Sequence, residues 1–167
     1  LLLFSFLFSF VLYGQITVDN TAPYDSPVFL IDNVLLGGGI VASNHSYQGD
    51  SIQIGYFDAT NTSLGINNGV VMATGDIAVL DPLFLGFGGI VSNTVSDPDL
   101  LNVANSVPPL LPSPYTNSFT VSSINDVAIL EFDFIPTSDS LSFQYVFGSE
   151  EYFAFENSQY NDVFGFF

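Results

Sequence analysis

Apolar and polar positions alternate with a period of two along much of this chain, the pattern of a strand with one buried face. In Val127–Phe134, Ala128, Leu130, Phe132 and Phe134 share one face, opposite Val127, Ile129, Glu131 and Asp133. In Leu141–Phe147, Leu141, Phe143, Tyr145 and Phe147 align opposite Ser142 and Gln144. The polar connection Pro136–Asp139 between these segments is short, so they are expected to pair as an antiparallel hairpin. Ser51–Phe57 alternates as well, and Val28–Ile31, Val34–Leu36 and Val70–Ala73 read as shorter strands. Gly37–Gly39, the polar turn Ser43–Gly49, Asn67-Asn68-Gly69, Gly75 and the loop Gly86–Gly89 punctuate them. One helix is expected near 98–105: Asp97 caps it, Pro98 takes its first position and Asp99 complements its dipole. The four prolines of Val107–Pro114 then impose an extended loop. A last aromatic strand is expected at Val163–Phe167. Many short strands with turn signals between them predict an all-β chain, a jelly-roll-like β-sandwich. No internal repeat or long linker suggests a second domain.

Composition adds a core and removes several functions. Hydrophobic residues make up 48% of the 167, with 18 Phe and 8 Tyr but no Trp or Cys, so an interior built from aromatic strands is expected. The 17 Asp and Glu face no Lys or Arg, a formal net charge of −17. Side-chain salt bridges are therefore not expected, and each carboxylate must be solvated, accept N–H bonds or share a cation. Nucleic-acid binding by phosphate neutralisation and attraction to an anionic membrane are excluded for this segment. Residues 1–14 resemble a secretory signal peptide without its basic start: Leu1–Leu12 is an apolar stretch too short to span a bilayer, and Gly14 offers a small residue before a cut. No transmembrane span is expected in the mature chain, 15–167, which is placed outside the cell or on its surface. The apolar ending Phe164-Gly165-Phe166-Phe167 reads as a fragment of a longer polypeptide, a domain incomplete at its C-terminus.

Three stretches carry a family resemblance: LEFDFIP at Leu130–Pro136, SFQYVFGSEEY at Ser142–Tyr152 and YNDVFGFF at Tyr160–Phe167. Together with GVVMATGDI at Gly69–Ile77 and DPDL at Asp97–Leu100, they resemble the choice-of-anchor L family over Thr17–Phe167. The resemblance implies an extracellular module of an adhesin-like bacterial protein, with an anchoring segment that varies between members. It implies no catalytic residues.

The candidate chemistry is acidic. Glu150 and Glu151, with Asn161 and Asp162 some ten residues on, offer hard oxygens suited to Ca²⁺. The competing reading is a hydrogen-bonded corner that fixes the loop between two strands. Asp97 and Asp99 are explained by the helix start. Glu131 and Asp133 lie two apart on one strand, roughly 7 Å between Cα atoms, a spacing open to a glycosidase pair or simply to a solvated face. His45 is expected in a solvated loop, and no nucleophile or orienting partner is apparent for it. Asn44-His45-Ser46 and Asn61-Thr62-Ser63 match a glycosylation pattern that short sequences meet by chance. The chain thus reads as a non-catalytic surface module for adhesion or ligand presentation, its partner an extracellular glycan or surface protein. Ser43–Gly49 and Phe155–Tyr160 are the expected binding loops. A carbohydrate-binding or carbohydrate-active module and a structural spacer are the alternatives.

Overall fold

The computed structural model describes residues 15–81, 95–106, 120–149 and 162–167. The all-β class holds: the strands form two antiparallel sheets, as a sandwich requires. In the first, β1 (Thr17–Asp19), β3 (Ile54–Asp58) and β4 (Asn68–Met72) stand in the order β1-β3-β4, with Val18 opposite Phe57 and Tyr56 opposite Val70. In the second, β2 (Ala42–Gln48) pairs with β5 (Ile129–Phe134). The expected helix is present as α2 (Pro98–Ser106), and Asp97 caps it by accepting the Leu100 N–H at 2.7 Å. Its far end is tied down by Asn105, whose side chain donates to the Val121 carbonyl and accepts the Val121 N–H.

Three expectations are corrected. The apolar runs at 28–31 and 34–36 are helical: α1 (Pro27–Leu30) leads into a π turn, Ile31–Leu35. Ser26 supplies the reason, since its hydroxyl accepts the Phe29 N–H at 3.3 Å and Pro27 follows in the first turn. A short apolar run has no periodicity of its own, so cap and proline decide. The segment taken for a polar turn, 43–49, is mostly strand β2. It pairs with β5 through a bulge, Ser43 opposite Asp133 but Ser46 opposite Glu131, and Asn44 takes the left-handed conformation there with φ 53°. Consequently β5 finds its hydrogen-bonded neighbour in β2, not in residues 141–147, which belong to neither sheet. The alternation of β5 itself holds: Leu130, Phe132 and Phe134 are half-buried, Glu131 and Asp133 exposed.

The core also differs in kind. Among the described residues its fully buried apolar side chains are aliphatic: Leu30, Ile31, Ile54, Ala59, Ile77 and Val127. α1 and the π turn pack against β2 and β3 or β4, so Leu30 and Ile31 fill the space between elements of the two sheets. The described aromatic rings stack beside this core: Tyr24 lies on Tyr56 at 4.5 Å, and Phe132 meets Phe134 at 5.9 Å. A ring can bury a large area while keeping an edge outside, which a small aliphatic core does not require of it.

One polar side chain belongs to this interior. Gln53 is 0% exposed. Its amide donates to the Asp126 carbonyl at 2.8 Å and the Ala73 carbonyl at 3.2 Å, and its Oε1 accepts the Asp50 N–H at 2.7 Å. Asp50 in turn accepts the Ile52 N–H, closing a capping box on the 3-10 turn Ser51–Gln53 that precedes β3. Gln53 therefore joins the ends of β3 and β4 to the approach of β5.

Candidate functional site

Residues 141–149 and 162–167 carry most of the distinctive chemistry. Phe143 lies 4.2 Å from Phe166 between ring centroids, Tyr145 5.5 Å from Phe164, and Phe147 6.1 Å from Phe164. Position increases along one segment as it falls along the other, so the two run antiparallel, side chain against side chain. Alternation explains the row: Phe143, Tyr145 and Phe147 share one side of the first segment, Phe164 and Phe166 one side of the second. A Cβ on Gly165 would stand 2.7 Å from the Phe167 ring and 3.4 Å from Leu100 of α2. The rings are exposed, Phe143 at 50%, Tyr145 at 61% and Phe166 at 63%, and so is Val146 on the other side of the first segment.

At one end of the row the Ser149 hydroxyl donates to Asp162 Oδ2 at 2.7 Å. Glu150, Glu151 and Asn161 lie outside the described residues, as do residues 1–14, the glycine loop at 86–89, the proline segment at 107–114 and the expected binding loop at 155–160. The Ser149–Asp162 bond links the two segments at this end of the row. It also suits a hard cation, since a hydroxyl and a carboxylate are both oxygen ligands.

A second polar cluster was not foreseen as such. His45, expected in a solvated loop, sits in β2 with its side chain mostly covered, and its Nε2 lies 3.0 Å from Asp32 Oδ1 in the π turn. The contact is a hydrogen bond between the chain's single histidine and a carboxylate. Beside it, Asn44 donates to Asp133 Oδ2 at 2.6 Å. The bulge explains both contacts, because the extra residue in β2 turns Asn44 and His45 to different neighbours. The signal was present as Asn44, a residue that tolerates positive φ. Asp133 and Glu131 remain exposed on one strand face. Among the described residues no three His, Cys, Asp or Glu are grouped as a metal would need.

The perturbed groups elsewhere are structural in cause. Burial, then the negative charge of Asp50, pushes the Tyr47 phenol up to about 12. Its hydroxyl donates to the Asp50 carbonyl at 2.8 Å. Hydrogen bonds from the Thr21 hydroxyl and N–H hold Asp19 below the ordinary carboxylate value.

A model of the choice-of-anchor L domain matches residues 17–167. The chain belongs to the choice-of-anchor L domain family. No curated protein and no solved structure matches it. Choice-of-anchor L domains are generally non-catalytic, surface-associated modules, and this member has its exposed aromatic row inside the matched span. No described helix in this choice-of-anchor L chain is long and apolar enough to cross a membrane.

Proposed function

We propose that this choice-of-anchor L chain is a non-catalytic binding module of an exported bacterial surface protein, serving adhesion or ligand presentation. The observation that carries this reading is membership of the choice-of-anchor L family across residues 17–167. Family membership supports a secreted or surface location, and the signal-peptide reading of residues 1–14 supports export. Protease treatment of intact cells should release peptides from residues 15–167, and deleting the coding sequence should reduce attachment. Peptides released only after lysis, with attachment unchanged, would remove the reading.

Ca²⁺ at Glu150, Glu151, Asn161 and Asp162 remains part of the proposal as a structural ion at the corner beyond Ser149. Millimolar Ca²⁺ should then raise the melting temperature by several degrees, an effect Asp162→Asn abolishes. An unmoved melting temperature together with no heat of binding leaves the hydrogen-bonded corner in its place.

A further inference from the structure

We propose that Tyr24 and Tyr56 form a covalent modification site, at which a peroxide-driven one-electron oxidant joins the two rings as an intramolecular dityrosine. Their centroids lie 4.5 Å apart with 17° between the planes, so the rings meet nearly face to face. Among the described residues this is the one contact between two tyrosine rings, and the ring neighbours of Tyr145 are Phe143, Phe164 and Phe166. Both members of the pair are held in place. Tyr56 stands in β3, the middle strand of its sheet, opposite Asp19 of β1 and Val70 of β4. Tyr24 ends a tight turn in which its N–H donates to the Thr21 carbonyl at 2.7 Å, and Phe29 of α1 meets its ring edge-on at 5.8 Å. Both rings are half-buried, so an oxidant can still reach them.

Prearrangement decides where a tyrosyl radical goes. Such a radical is short-lived and couples with the first phenoxyl it meets. A ring fixed in contact acts at a far higher effective concentration than one on another molecule. In the step itself each phenol gives up one electron and one proton. The two radicals join through a bond between ring carbons ortho to the oxygens. The hydrogens on those carbons then pass to the oxygens, which restores both phenols. The two electrons and two protons released reduce one hydrogen peroxide to two waters. The new bond ties the turn before α1 to the centre of the first sheet and removes freedom from the unfolded chain. A chain with no Cys has no disulfide with which to make that closure.

The test is treatment of the dilute chain with a haem peroxidase and hydrogen peroxide. Since no Lys or Arg is present for trypsin, the product is cut before its aspartates and read by mass spectrometry. Cleavage there frees Asp19–Tyr24 and Asp50–Phe57, each with a single tyrosine. These peptides should appear joined, lighter by two hydrogens than their sum, from a product that is still monomeric and shows dityrosine fluorescence. The joined pair should exceed any other tyrosine pair at least about fivefold. The linked monomer should melt several degrees above the untreated chain. Tyr24→Phe and Tyr56→Phe keep the stacked ring but lack the phenol, so each should abolish the joined peptides while circular dichroism stays the same. Cross-linked dimers in place of the linked monomer, or a larger yield of another pair, would overturn the proposal. So would tyrosines that only take up oxygen, or a chain that does not react. The joined peptides are read on the unaltered chain, so a folding defect in either variant leaves a decisive result. The pairing does not depend on the surface assignment, which protease release on intact cells reads separately.

Discussion

Gln53 shows how one polar residue can join three parts of a small fold. Its side chain serves Asp50, Ala73 and Asp126 from a fully buried position. Gln53→Leu keeps similar bulk but leaves those backbone groups without these bonds, so a loss of about 3 kcal/mol in denaturant unfolding is expected. Gln53→Glu brings a charge into the same site and should cost at least as much at neutral pH. Half of this was legible beforehand: Asp50-Ser51-Ile52-Gln53 has the spacing of a capping box, but the reach of the amide to Asp126, 73 residues away, is a tertiary fact. Tyr47 gives a second residue-scale prediction. Its folded pKa of about 12 lies above the ordinary 10, so the stability contributed by the neutral ring is complete below pH 10 and is lost as pH climbs through 12. Alkaline titration of the melting temperature should show that loss, and Tyr47→Phe should flatten most of it, with Tyr56, also raised by burial, keeping a remainder. The same variant should cost about 1 kcal/mol at neutral pH, since the bond to the Asp50 carbonyl goes.

At the scale of elements, start signals outweighed apolar character. Asp97 before Pro98 fixed α2, and the helix stands where those residues put it. Asp97→Ala should lower stability by about 1 kcal/mol, with Asp97→Asn largely restoring it, as read from thermal unfolding. The same grammar, Ser26 before Pro27, was passed over at α1 because Val28–Leu30 looked like the opening of a strand. β2 was missed for the opposite reason. Its Ser, Asn and His positions carry no apolar alternation, and only the partner β5 and the bulge at Asn44 make it a strand. The pairing of β5 was equally out of reach: a short connection favours the segment that follows, but the observed neighbour comes from the other end of the chain. Gly55 in β3 records a close approach of this kind. A Cβ there would stand 2.6 Å from the Asp19 carbonyl oxygen and 2.5 Å from Ile77 Cδ1. Gly55→Ala should therefore cost roughly 1–3 kcal/mol by forcing β1 and the turn at Ile77 apart, a loss visible in chemical denaturation.

For the whole molecule, composition conveyed the class but not the placement of the rings. A chain with 16% aromatic residues was expected to hide them, yet its described core is aliphatic and the rings from Phe143 to Phe166 are exposed. Alternation put those rings on one side of each segment. Which side meets solvent depends on what packs behind, and the first segment is exposed on both sides, Val146 at 55% beside Tyr145 at 61%. The central claim is that exposed aromatic rings stand on a protein displayed at the cell surface. Nitration of intact cells with tetranitromethane, mapped residue by residue with mass spectrometry, tests both parts at once. Tyr145, 61% exposed, should be modified readily, while Tyr47, half-covered and held as the neutral phenol, should resist until the protein is unfolded. Protection of Tyr145 on intact cells, relieved only by lysis or denaturation, would contradict the account.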